Sequence, residues 1–99
     1  MAGNNLTFSP EQATSVAKSI KTKASNAETL INQLRSEITS VSSWWSGESQ
    51  KAFVDQFESL MPSFKEMIGC VEKISSNLSE IARIKQQAEQ DMAAKLRGR

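Results

Sequence analysis

No histidine and no tyrosine occur among the 99 residues, and Cys70 is the single cysteine. Without histidine the chain lacks both the commonest general base and the commonest metal ligand. A lone cysteine cannot close an internal disulfide, so the fold is expected to stand without bridges. Cys70 reads as a small hydrophobe packed near a helix seam, in preference to a redox or intermolecular group. There is no glycine-rich phosphate loop, and the cysteine has no partner base, so the residues assemble no catalytic site. No enzyme activity, cofactor or metal is expected. Hydrophobic residues make up only 38% of the chain, which suits helices with one apolar stripe better than a closed globular core.

Charge of one sign is lacking too. Twelve basic and eleven acidic residues leave a net charge of +1, mixed along the chain, so nucleic acid is not an expected partner and contact with a membrane surface is disfavoured. Lys95, Arg97 and Arg99 form a small basic end that reads as a solvated terminus. No stretch approaches the ~18 apolar residues of a membrane span. The first six residues, Met1 to Leu6, carry neither a basic nor an apolar leader region, so no secretory signal peptide is expected. On these grounds alone the cytosol is the default location.

What is present is organised around Val41-Ser-Ser-Trp-Trp-Ser-Gly-Glu-Ser49. The serines compete for backbone hydrogen bonds and Gly47 permits a turn that other residues resist. On either side the apolar residues follow helical spacing. Ser9-Pro10-Glu11-Gln12 is a dense helix start: a capping hydroxyl, proline in the first turn, an acid at the positive helix end, and a glutamine to complete the box. Phe8 stands where a hydrophobic staple begins. From there Ala13, Ala17, Ile20, Ala24, Ala27, Ile31, Leu34, Ile38, Val41 and Trp45 alternate steps of four and three, a heptad seam. Val16, Leu30 and Trp44 widen it on one flank, while Thr14, Lys21, Glu28, Arg35 and Ser42 make the other flank polar.

The second run repeats the spacing with bulkier residues: Phe53, Phe57, Leu60, Phe64, Met67, Val71, Ile74, Leu78 and Ile81, then Ala88 and Met92. Val54, Met61, Ile68 and Ala82 add a second column, as a helix with two neighbours requires. The large residues are expected to complement the alanines of the first helix. Pro62 predicts a kink near Leu60 to Pro62, Gly69 a position of possible close packing, and Lys85 on the seam a loosening after Ile84. The expected organisation is one all-α domain over residues 1–99: a tail at 1–8, helix one at 9–43, the elbow at 44–48, helix two at 49–95 bent near 62, and a tail at 96–99. The two tryptophan rings are expected to fold back between the helices.

A single hairpin cannot enclose two broad apolar faces. Each large side chain left wet forfeits roughly 1.5–3 kcal/mol, so two hairpins are expected to pair into an elongated four-helix bundle. The hairpin and dimer contacts fall to Ile20, Ile31, Leu34, Ile38, Phe53, Phe57, Leu60, Phe64, Val71 and Leu78. Glu48, Asp55, Glu58 and Glu66 read as a solvated face.

Trp45-Ser46-Gly47 between two heptad runs resembles the WXG (ESAT-six-like) family of small secreted proteins. The resemblance covers nearly the whole chain: the Ser9 to Glu11 start, the Trp45 and Gly47 elbow, Ala52, Phe53 and Phe57 after it, and a proline in the second helix. Trp44 departs from the pattern by doubling the tryptophan. The resemblance implies export by the type VII (ESX) secretion system as a folded helical-hairpin dimer, without a cleaved signal peptide. That replaces the cytosolic default with an extracellular destination. It also implies an export signal late in helix two, for which the best register is Lys85, Glu89, Met92 and Leu96. Lys85 stands where the family carries an aromatic or aliphatic residue; Glu89, Met92 and Leu96 match. The partners implied are a second copy or a sister WXG-type protein, the system's membrane ATPase, and a larger secreted effector. A cytosolic helical adaptor would show the same heptads, and an amphipathic membrane-disrupting helix is the third, least favoured reading because the polar face is not strongly basic.

Overall fold

The computed structural model describes residues 8–98. Helix α1 spans Pro10–Thr39, a 3-10 turn follows at Ser40–Ser43, and two further helices complete the chain, α2 at Glu48–Glu58 and α3 at Met61–Arg97. The expected tail at residues 1–7 lies outside the described residues, within which there is no strand. The hairpin measures 79 × 29 × 16 Å, a slab one helix pair wide.

Each boundary has a local cause. Ser9 is extended and its Oγ accepts the Gln12 backbone N–H at 3.2 Å, with Pro10 opening the helix and Glu11 in its first turn, so orphan donors and dipole are both met. Phe8 stays exposed; Ala13 offers a staple only one methyl. The far end of α1 differs from the expected 43, because regular α-helix stops at Thr39. The hydroxyls of Thr39, Ser40, Ser42 and Ser43 donate to the carbonyls of Ser36, Glu37, Thr39 and Ser40, at 3.1, 2.6, 3.0 and 2.9 Å. Serines that recapture carbonyls three residues back favour the tighter 3-10 turn.

The second run is two helices where one kinked helix was expected. Pro62 has no N–H to offer the Glu58 carbonyl, and the interruption falls just before it, at Ser59 and Leu60. The Leu60 N–H turns to the Phe57 carbonyl at 2.9 Å, three residues back, and Phe64 resumes the helical ladder onto Leu60 at 3.0 Å. At the other end α3 continues to Arg97, past the expected 95, with Lys95 and Arg97 in its last turn, where positive charge suits the dipole.

The core of the hairpin is narrow. Ala13, Ala17 and Ala24 of α1 are buried, as are Phe57 of α2 and Met61, Ile68, Ser75 and Ala82 of α3. The column expected as an addition beside the helix-two seam is therefore the one turned toward α1. Ile20, Ile31 and Ile38, with Phe64, Val71 and Leu78, are half-buried beside it. The alanines of α1 do not all meet large residues either. Ser75 Oγ donates to the Ala17 carbonyl at 2.7 Å, so small residues on both helices let the backbones approach at that end. Nearer the elbow, Phe57 and Phe64 lie edge-tilted with centroids 6.0 Å apart and widen the pair. Burial ends at Ala82; every described residue from Arg83 onward is exposed.

Candidate interaction surface

The elbow is built by one glycine and one tryptophan. Gly47 has φ +105° and ψ −174°, a region essentially reserved for glycine, and it caps α2 with its carbonyl accepting the Lys51 N–H at 3.2 Å. A β-carbon there would meet nothing within 4 Å, so the demand for glycine is conformational, not spatial. The Trp45 ring folds onto Phe53, centroids 5.4 Å apart, and its Nε1–H donates to Ser49 Oγ at 3.2 Å. That bond ties the turn to the first residues of α2.

Trp44 does not fold between the helices. It stacks on Trp45 at 6.0 Å and stays 73% exposed, because a stacked second ring cannot share the space that Trp45 already fills. Cys70 is exposed as well, contrary to the seam position expected of it. Gly69 has open space around its α-carbon, so no close packing explains it. Glu58 is not a merely solvated acid. Arg35 Nε and Nη2 donate to its two carboxylate oxygens at 2.9 and 2.6 Å, and this paired hydrogen bonding, with the charge beside it, holds the Arg35 pKa above its ordinary value.

That pair fixes which side of the hairpin is which. Residues seven apart lie nearly in line on a helix. Arg35 belongs to the polar column Lys21, Glu28, Arg35, and Glu58 to the polar column Glu58, Lys65, Glu72. These two columns therefore share one side. Across the seam from each lies an apolar column: Val16, Leu30 and Trp44 on the α1 side, and Phe53, Leu60, Met67, Ile74 and Ile81 on α2 and α3, all exposed. Leu34 is exposed with them. The hairpin thus has one polar and one apolar face, and the outward helix-two column is bulkier than the buried one. Leu34, Phe53 and Leu60, named as contact residues from spacing, lie on this outer face rather than in the hairpin's own interior. The remaining contact residues (Ile20, Ile31, Ile38, Phe57, Phe64, Val71 and Leu78) line the seam or its edge.

A contiguous apolar surface on a small chain marks an interaction site. Among the described residues no group of acids and cysteine could hold a metal ion, and no helix is long and apolar enough to cross a membrane. At the open end, Pro10 and Glu11 lie beside Gln86, Glu89, Gln90 and Ala93, so α3 runs on past the start of α1. Met92 and Leu96 sit on that exposed arm. Ser75 and the Arg35–Glu58 pair escaped sequence reasoning. Ser75 holds the buried column's heptad place between Ile68 and Ala82, a signal that was available; the ion pair needed the facing register.

Fold and site together define a small helical-hairpin protein with a Trp-x-Gly elbow and an apolar outer face. The chain belongs to the WXG100 family, proteins of 100 residues with WXG, whose signature matches residues 5–90. It is similar to the protein YukE of Bacillus subtilis, 30% identical over 93 residues, covering 94% of this chain and 96% of that one. Among solved structures it is similar to EsxA of Geobacillus thermodenitrificans (TM-score 0.81, 29% identity, covering 91% of this chain and 99% of that one). It is also similar to EsxB of Bacillus anthracis, described as a secreted protein (TM-score 0.78, 28% identity, 90% and 99% covered).

Proposed function

We propose that this protein is a non-enzymatic substrate of a type VII secretion system, exported without a cleaved signal peptide as a folded hairpin dimer, and that it works by binding. The outer apolar face carries the reading. Five large side chains in line, Phe53, Leu60, Met67, Ile74 and Ile81, are exposed on the hairpin, and burying each against a partner is worth about 1–2 kcal/mol. A second hairpin of the same shape covers such a face and closes a four-helix bundle. Family membership and the likeness to a secreted EsxB support the extracellular destination.

Within this reading the Trp45 and Gly47 elbow holds the hairpin ends in register and presents Trp44 at the tip, where the membrane ATPase of the system would meet it. Glu89, Met92 and Leu96 form one stripe of the α3 arm and act as the export signal, exposed and open to a receptor. A larger secreted effector is the cargo that the dimer would escort. The test is to compare culture medium from cells with an intact and a disabled secretion ATPase, scoring the chain and an L96E variant. Export that depends on the ATPase and on Leu96 is the expected result. Equal amounts outside both strains would sink type VII export, and none outside either would leave the cytosolic adaptor as the better account.

A further inference from the structure

On the polar side of the hairpin, where Arg35 meets Glu58, a groove of about 380 Å³ runs between α1 and α3. Ile31, Phe64 and Ile68 form its floor, and Glu28, Gly69 and Glu72 stand on its rim. The floor is buried or half-buried and the rim is exposed. Helices that touch at Ala17 and Ser75 are held apart here by larger side chains, and the gap opens on this side. Gly69 has no positive φ, and an added β-carbon would meet nothing within 4 Å. Nothing inside the chain therefore requires a glycine there, although glycine is the weakest helix former after proline. Its missing side chain keeps one wall of the groove low, so that a second backbone can come close. The rim carries two carboxylates, Glu28 and Glu72, against one ammonium, Lys65; Lys21, seven residues before Glu28, does not line the groove. None of the three is ion-paired, since the pairs among the described residues are Arg35–Glu58 and Glu80–Arg83. Lys65 can answer only one of the two acids. A net negative charge is left over an apolar floor.

We infer that this groove binds an arginine side chain presented by an extended segment of a partner protein. Three features select the arginine. Its guanidinium is always charged and pairs with a carboxylate through two hydrogen bonds, as Arg35 does with Glu58 in this same hairpin. Its methylene stem packs along an apolar floor while the charged head stays at the rim. The Phe64 ring in that floor is a surface on which a guanidinium stacks favourably. The exposure of the rim selects a chain segment over a free small molecule, because small-molecule sites bury most of their ligand. A main chain laid across the low wall at Gly69 finds a donor in Lys65, and a donor and an acceptor in the Asn32 carboxamide, both of which line the groove. The groove lies on the opposite side from Phe53, Leu60, Met67, Ile74 and Ile81, so a partner on that face leaves it open. The inference is independent of pairing there.

The test is a titration of the isotope-labelled full chain with a capped peptide, Gly-Leu-Arg-Leu-Gly, followed through backbone amide shifts. Saturable shifts at Asn32 and Gly69 are expected, and the same peptide with glutamate in place of arginine should bind at least about fivefold more weakly. The double variant Glu28→Gln/Glu72→Gln keeps the shape of the rim and removes its charge, and should raise the dissociation constant of the arginine peptide about five- to tenfold. Gly69→Leu raises the low wall at an exposed helical position. It should abolish the Asn32 shift while helicity by circular dichroism is unchanged. No saturable shift, equal binding of the arginine and glutamate peptides, unaltered binding in either variant, or shifts centred on Met67 and Ile74 would each overturn the inference. None of these outcomes bears on export, which is scored separately by dependence on the secretion ATPase.

Discussion

Two glycines in the same hairpin should respond to the same substitution with opposite signs. Gly47 has φ +105° and ψ −174°, a conformation that costs an L-residue on the order of 1–3 kcal/mol, and an added β-carbon would meet nothing within 4 Å to complicate the change. Gly69 sits inside α3 with ordinary helical backbone and equally open space. Alanine there removes unfolded-state freedom and improves helix propensity, for a gain of about 0.5–1 kcal/mol. Urea unfolding followed by helical circular dichroism, at one fixed chain concentration, measures both. Gly47→Ala should lower stability by 1–3 kcal/mol, Gly69→Ala should raise it, and neither should alter the denaturant slope, by these same estimates. A D-alanine at position 47 sharpens the argument: its mirror-image preference accepts the backbone that L-alanine resists, so stability should return to or exceed that of glycine. A neutral Gly47→Ala, or a D-alanine as damaging as the L form, would refute a conformational reason for the glycine of the elbow.

The narrow core makes further predictions. Ser75→Ala removes the buried bond to the Ala17 carbonyl and should cost about 1 kcal/mol in the same unfolding assay. Ile68→Ala empties a buried position and should cost about 2–3 kcal/mol at any chain concentration; Met67→Ala, on the outer face, acts through association, so its effect on the melting temperature should depend on chain concentration. Arg83 donates to Glu80 at 3.2 and 2.6 Å, and these hydrogen bonds, then the positive charge, hold the Glu80 carboxyl below its ordinary 4.5. A carboxyl depressed in the folded state stabilises above its unfolded pKa and loses that contribution as pH falls through the folded one. Acid titration of helicity should therefore show a small loss below about pH 4.5 that Glu80→Gln removes.

Much of this architecture is legible in the residues. The four-three spacing from Ala13 to Val41 and from Phe53 to Ile81 is a property of one helix at a time, and it specifies a hairpin whichever way each stripe turns. What spacing cannot state is direction. The apolar surface of the second run covers three adjacent columns, and the middle one, with Phe57, Phe64, Val71 and Leu78, serves either neighbour. Hydrophobicity points the wrong way, because the outward column is all large and apolar while the buried one includes Ser75 and Ala82. The choice is made by α1, whose small residues at Ala13 and Ala17 draw the backbones together and leave room only for small partners there. The break at Ser59 and Leu60 was signalled by Pro62, yet its place depended on which carbonyl lost its donor. Cys70 and Trp44 were misjudged for a common reason: a hydrophobe's exposure is decided by neighbours that a single chain's pattern does not record.

The account stands or falls on what covers the outer face, and sedimentation equilibrium of the purified chain addresses it directly, with a Met67→Glu variant beside it. The expected result is a helical species of twice the 10.9 kDa chain mass, and a shift of the variant toward monomer, because an unpaired charge would lie in the centre of the apolar face. A fully helical, stable monomer of the unaltered chain at micromolar concentration would contradict it, since the hairpin would then hold its large apolar face in water without needing any partner.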